Sequence, residues 1–451
     1  MASITSQAAS PGLLPESLHE VLADLHQHPY PHVPNPPECR RRASVALILR
    51  VRPDYHHWPE SSIPEVDDQS ASVIQRLDSF FSQSWVKHGD PEVLFIKRAS
   101  RKGDRWTGHV ALPGGKRDPD DADDKATAIR EAAEEIGLDL TTNNCIYVAN
   151  LPERVVTASW GSVPLMVLCP FIFLLTSASS PVLKLQPAEV ASTHWVSLRA
   201  LLSPSLRTIE HVDLSERYSS RGGFLARLLY RSMVGLMQFS AIRLIPTESL
   251  QCPSVPGFIP DDSSNKKSLS PLQKWKAWYL SHQADSNDRS RPLLLWGLTL
   301  GILADFLDML PPHNAVKLWK YPTFTPPDMR LIVSLLTYRL RKRNALRVRA
   351  LGRPNETAVD SQTAALPVTH DESADGDADH DPNEVGIGGM GVGRYYGKDS
   401  AKADTHAVGI MLRGYYDRLR VAIYVFIAWR LAAGSIAALY AWKWFRWLRR
   451  R

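Results

Sequence analysis

GGKRDPDDADDKATAIREAAEEIGL, running from Gly114 to Leu138, is the stretch that decides the fold. It opens as a turn-rich acidic loop with Gly114, Gly115 and Pro119, passes into a helix-forming stretch from about Asp124 to Glu135, and meets Gly137 where a helix would end. Glu131, Glu134 and Glu135 stand at i, i+3 and i+4, so they share one side of that helix about one turn apart. Clustered glutamates repel and raise one another's pKa unless cations compensate, and hard divalent ions with oxygen ligands are the usual compensation. Glu134-Glu135 alone reads as a solvated acidic face. The crowding of Asp118, Asp120, Asp121, Asp123 and Asp124 beside a glycine loop turns the reading toward a metal site.

These residues resemble the signature of the Nudix hydrolases: a glycine, a six-residue step to an acidic residue, then Arg-Glu-x-x-Glu-Glu-x-Gly. Gly115 matches the first glycine, Arg130 and Glu131 the Arg-Glu pair, Glu134 and Glu135 the paired glutamates, and Gly137 the closing glycine. Asp121 stands where the general pattern has Glu, and one extra residue separates it from Arg130. Both departures occur in the coenzyme A diphosphatase branch, which the loop GGKRDPDDAD resembles closely. The resemblance implies an α/β fold, an α/β/α sandwich around a mixed sheet, with Glu131, Glu134 and Glu135 holding Mg²⁺ or Mn²⁺. It also implies hydrolysis of the coenzyme A or acyl-coenzyme A diphosphate to 4′-phosphopantetheine (or its acyl form) and adenosine 3′,5′-bisphosphate. Gly114 and Gly115 let substrate and metal approach the backbone. Arg130, in the catalytic set, faces a different side of the helix from Glu131 and is expected to brace the loop through Asp118 or Asp121.

The domain is expected over residues 42–310, after a flexible segment at 1–41, with insertions near 54–90 and 247–292. Ser44 to Leu49 reads as a buried strand that opens it, and Glu92 to Arg98 as another. Arg98, Arg101, Lys102 and Arg105 precede the metal loop and could form a cationic wall for a diphosphate or a 3′-phosphate, or merely a basic surface loop. Arg98 and Gly108 resemble positions ahead of the Nudix box in coenzyme A diphosphatases, whereas Leu112 replaces a frequent Phe. Glu153 is the conspicuous carboxylate of a loop over the cleft, and Glu189 is a carboxylate supporting the metal ligands from behind, a general base, or an exposed salt-bridge residue. Gln238 to Pro246 and Leu293 to Leu310 read as the last strand and closing helix.

Four scattered cysteines, without metal-ligand pairing, point to a reducing compartment. The net charge of +6 comes from separate blocks, and the basic run from Arg339 to Arg349 lacks interleaved aromatics, so attraction to anionic lipid is favoured over nucleic acid. That run ends a docking helix expected within 311–350. Residues 351–420 read as a largely disordered acidic linker. Val421 to Trp442 is a 22-residue apolar run interrupted by Arg430 and followed by a basic tail at 443–451. At 1.5 Å per residue it would reach about 33 Å, a bilayer-length helix. The expectation is a single-pass membrane anchor with a cytosolic catalytic domain, although the flanking basic residues lean the other way under the positive-inside rule. Competing readings are an interfacial helix or a packed one. A Nudix hydrolase of another nucleoside diphosphate derivative, or a noncatalytic membrane-bound scaffold, are the rival functions.

Overall fold

The computed structural model describes residues 13–59, 71–99, 107–158, 163–213, 231, 233–252, 292–313, 315, 318–351, 411–412 and 414–450. Along the chain come α1 (Leu13–Gln27), β1 (Arg42–Arg52), α2 (Val73–Ser82), α3 (Ser84–His88), β2 (Asp90–Arg98), β3 (Val110–Ala111), β4 (Gly114–Lys116) and α4 (Asp124–Ile136). There follow β5 (Cys145–Asn150), β6 (Arg154–Ala158), β7 (Val163–Leu175), β8 (Val190–Ser197), α5 (Leu198–Leu202), β9 (Arg207–Val212), β10 (Met237–Arg243) and β11 (Glu248–Gln251). The last are β12 (Leu294–Trp296), α6 (Gly297–Met309), β13 (Thr323–Phe324), α7 (Pro327–Leu351) and α8 (Tyr415–Leu448).

The main sheet is mixed, ordered β11-β8-β2-β1-β7-β5, with β3 beside β2, β4 beside β1 and β6 beside β7. Strand β1 runs antiparallel to β2 and parallel to β7. Its apolar residues alternate between two layers, as a period of two requires. Ala46 and Ile48 pack with Ala128, Ala132 and Ile136 of α4, while Leu47, Leu49 and Val51 face the layer that holds α1, α2 and α3. This is an α/β/α sandwich, and it puts α4 against the middle of the sheet.

Several expectations need correction. Residues 13–35 are not a flexible lead: Leu14, Leu18, Leu22 and Leu25 of α1 are all buried. Each such burial is worth roughly 1.5–3 kcal/mol, an upper estimate that still exceeds the entropy of ordering a leucine side chain. The stretch read as an insertion near 54–90 contains α2 and α3, whose Leu77, Phe80, Phe81 and Trp85 cover the same layer. A capping box between Ser72 and Gln75 starts α2. The insertion expected from residue 247 begins instead with β11, paired to β8, and its expected short helix at 272–282 lies outside the described residues.

Met237–Arg243 does not join the main sheet. It is the centre of a second sheet, flanked by β9, β12 and β13. From Thr323 on, the chain adds β13 to that sheet and then α7. Helix α7 runs antiparallel to α8: Asn344 Nδ2 donates to the Met411 carbonyl at 3.0 Å near one end, and Arg430 Nε donates to Asp328 Oδ2 at 2.7 Å near the other. Tyr415, Tyr416, Leu419, Ala422 and Phe426 are buried there. The final turns before the apolar run are therefore packed helix, not linker. Residues 352–410, most of the expected acidic linker, lie outside the described residues. Among the described residues, α8 is the one helix long and apolar enough to cross a membrane.

Candidate active site

The site begins with the backbone of two glycines. Gly114 has φ +150°, and a Cβ there would lie 2.2 Å from the Ser44 carbonyl oxygen and 2.6 Å from Val45 Cα. Glycine is thus what lets β4 lie against β1. At Gly115 a Cβ would meet Glu131 Oε1 at 2.3 Å. The loop read as a turn is in fact a short strand, paired through Ser44 and Gly115, that sets the glycine backbone directly over a carboxylate.

Helix α4 presents those carboxylates. Asp123 caps it by accepting from Ala126 N at 2.6 Å, and Gly137 closes it at φ 68° in the left-handed region. Glu135, Glu131 and Glu134 form a gradient from the core to solvent, with side chains 2%, 13% and 58% exposed. Glu135 Oε2 accepts from Gly114 N at 2.9 Å. Arg130 ties helix to loop: Nε and Nη2 hold the two oxygens of Asp121 at 2.9 and 3.0 Å, Nη2 donates to the Lys116 carbonyl at 3.0 Å, and Nη1 reaches Glu134 at 2.8 Å and Glu131 at 3.2 Å. The expected brace therefore runs mainly through Asp121; Asp118 lies farther, at 3.8 Å. With this bidentate partner Asp121 is held well below the usual carboxylate range.

The other two expected contributors on the described residues converge here as well. Arg98 Nη1 lies 4.0 Å from Glu135 Oε1. Glu189 is close enough to raise both Glu131 and Glu135 electrostatically. Burial is the first cause that lifts these two glutamates, and it pushes Glu135 up to about 7. Arg105, like Arg101 and Lys102, lies outside the described residues.

Among the described residues, Asp121, Glu131, Glu134, Glu135 and Glu189 outnumber Arg130 and Arg98, and the hydrogen bonds above engage one oxygen each of Glu131, Glu134 and Glu135. A surplus of hard oxygen donors on a rigid helix, partly withdrawn from water, fits a divalent cation. A second acidic group does not fit one. His32, Asp124 and Glu153 offer ligand atoms within 4.8 Å of one another, but Arg42 already occupies their centre. Its Nε donates to Asp124 at 2.7 Å and its Nη2 to Glu153 at 2.7 Å, with Nη1 bonded to the Val33 carbonyl and Asn35. Glu153, expected on a loop over the cleft, is instead buried and also accepts from Val33 N at 2.8 Å. This arginine cluster is not legible in the sequence because its members lie 7 to 111 residues from Arg42 and share no periodicity.

Comparison with known proteins agrees with this geometry. The NUDIX domain model matches residues 85–217. An uncharacterised protein of Schizosaccharomyces pombe is 37% identical over 316 residues, covering 68% of this chain and 78% of that protein. The peroxisomal coenzyme A diphosphatase NUDT7 of Mus musculus is 64% identical over 53 residues, 12% of this chain and 22% of its own length. The mitochondrial coenzyme A diphosphatase NUDT8 of Homo sapiens is 50% identical over 101 residues, 22% of this chain and 34% of its own. The likeness to those two diphosphatases thus spans at most about a third of their length. With a glycine strand, a capped helix and three graded glutamates in the matched region, the chain belongs to the Nudix hydrolase family.

Proposed function

We propose that the protein hydrolyses the diphosphate linkage of coenzyme A or an acyl-coenzyme A, with Glu131, Glu134 and Glu135 holding Mg²⁺ or Mn²⁺. The observation that carries the reading is the convergence of these three glutamates under Gly114 and Gly115 with Arg98 at their edge. A bound divalent ion would acidify the attacking water and offset charge on the phosphoryl oxygens. The chain's own residues do the rest. Arg130 fixes the loop and the helix as one body, so the glutamates are positioned before any ligand arrives. Arg98, 4.0 Å from Glu135, would draw in an anionic phosphate, and Glu189, which raises Glu131 and Glu135 electrostatically, would take a proton. The short segments of high identity to coenzyme A diphosphatases support the substrate class.

The test is metal-dependent hydrolysis, with product identification, of coenzyme A, NADH, ADP-ribose and dinucleoside polyphosphates. Release of adenosine 3′,5′-bisphosphate from coenzyme A as the fastest reaction is expected. Preference for ADP-ribose or NADH would transfer the site to another nucleoside diphosphate derivative.

We also propose that α8 attaches the protein to a membrane. Leu431, Ile436, Leu439, Tyr440 and Trp442 are exposed on it, and Trp444, Phe445 and Trp447 alternate with basic residues at its end, a composition suited to an interface. Full-length protein is expected in the membrane pellet, and a chain ending at residue 430, which keeps the turns packed on α7, in the soluble fraction.

A further inference from the structure

A cleft of about 510 Å³ opens between the segment leading into β1 and the loop after β4. Arg40 and Arg41 line one side, Lys116 and Arg117 the other, and Asp118 is the acid among its described lining residues. Two of the cations around it are already committed. Arg42, at its base, is paired to Asp124 and Glu153. Arg117 lies 3.3 Å from the same Asp124 and donates to the carbonyls of Asp121 and Ala122 at 3.3 and 3.0 Å. These two arginines and two carboxylates balance. Asp118 leans toward Arg130, at 3.8 Å.

Arg40, Arg41 and Lys116 remain as exposed cations around one concavity, with no salt bridge among the described residues. Like charges gathered this way repel, and the relief is an anion with several oxygens. Two adjacent guanidinium forks favour a phosphate, which can accept from both. The cleft also adjoins the glutamates. Its Lys116 gives its carbonyl to the same Arg130 that holds Glu131 and Glu134, so a single guanidinium separates the basic cleft from the acidic site.

We infer that this cleft is a phosphate subsite, binding a terminal phosphomonoester carried by the same molecule whose diphosphate meets Glu131, Glu134 and Glu135. The ligand class rests on the charge and shape of the cleft. The link between the two sites rests on the diphosphatase reading above.

Calorimetric titration of the full-length protein in detergent, without divalent metal, tests it with adenosine 3′,5′-bisphosphate and adenosine 5′-monophosphate. The bisphosphate is expected to bind about tenfold more tightly, the gain of one charge-assisted phosphate contact. Arg40→Gln/Arg41→Gln should erase that preference while thermal unfolding is unchanged, since both side chains are on the surface. Equal affinities in the wild type, or a preference that survives in the double variant, overturn the subsite. A lipid source for the phosphate is separated by vesicles of phosphatidylcholine with and without phosphatidic acid. Arg40/Arg41-dependent binding to phosphatidic acid without a bisphosphate preference moves the ligand to a headgroup and overturns the shared-molecule claim. A protein that prefers the bisphosphate but hydrolyses none of the diphosphates keeps the subsite and loses the diphosphatase reading.

Discussion

Two arginine-centred clusters flank the same helix and come to opposite ends. Arg42 sits between Asp124 and Glu153, all three side chains under 10% exposed, with Arg117 at the margin to complete a balance of two cations and two carboxylates. Arg130 faces Asp121, Glu131 and Glu134, while Glu135 and Glu189 lie near and Arg98 is a second cation among the described residues. The first cluster has acids within ligand distance of one another and no use for a metal, because its charge is already met. The second keeps, among the described residues, a surplus of negative charge that opens to solvent at Glu134. Residual charge, rather than the number of acids, distinguishes a structural ion-pair cluster from a site built to receive a cation.

The largest expected effect is on the unbalanced cluster. Glu135→Gln and Glu134→Gln keep the side-chain shape but replace a hard-metal ligand by an amide, and each should lower kcat/KM by about 100-fold or more. Near-ultraviolet circular dichroism should stay native-like. Unchanged kinetics at limiting and saturating metal would remove the three-glutamate site. At the balanced cluster the same kind of change acts on stability. Arg42→Met removes the buried cation that Asp124 and Glu153 share, leaving Asp124 the longer contact to Arg117 and Glu153 the Val33 amide, and should cost about 3–5 kcal/mol in urea unfolding. A cost below about 1 kcal/mol would show that water reaches the cluster and that the two clusters do not differ in this way.

Asp121 sharpens the comparison because it is the one carboxylate of the site whose charge Arg130 fully engages. Its folded pKa is depressed, the Arg130 hydrogen bond being the first cause. The stabilisation is therefore complete above the ordinary carboxylate pKa of about 4 and is lost as pH falls through the lower folded value. Asp121→Asn should be less stable than wild type at pH 7, with the gap narrowing as the pH is taken below 4. A gap that is constant with pH would mean that Asp121 acts through its hydrogen bonds to Asp118 N and Thr127 rather than through its charge.

Much of the site was legible because it is local. Glu131, Glu134 and Glu135 follow helical spacing, Gly137 ends the helix where a left-handed residue is needed, and Arg130 lies nine positions from its Asp121 partner. The Arg42 cluster was not, since Glu153 is 111 residues away and reads alone as a loop carboxylate. The docking of α1 was half legible: its leucines recur at helical spacing, yet the histidines and the following prolines gave the segment the look of a lead sequence. Met237–Arg243 reads correctly as a strand, but strand character does not say which sheet it joins, and that is fixed by pairing with residues as distant as Phe324. Gly114 and Gly115 read as a turn because nothing local reveals the Ser44 carbonyl pressed against them.

Arg430 supplies the smallest effect and the last test of the comparison. In the sequence it is a charge that weakens an apolar run; in the fold its Nε and Nη2 hold Asp328 at 2.7 and 3.1 Å, and its guanidinium stacks over Phe426 at 5.1 Å. This pair is neutral, like the Arg42 cluster, but its side chains are 37% and 30% exposed. Geometry as good as that at Arg42 should therefore be worth far less, because water screens both partners: Arg430→Leu is expected to shift stability by less than about 1 kcal/mol. The pair also divides α8. Residues 415–430 are committed to α7, and the 18 residues from 431 to 448 extend about 27 Å, with Lys443 and Arg446 near the far end. If attachment depends on that free portion, Arg430→Leu leaves carbonate-resistant pelleting as it was. A marked gain in pelleting would mean that Arg430 itself opposes insertion, so that the helix enters the bilayer from residue 421 and abandons its packing on α7.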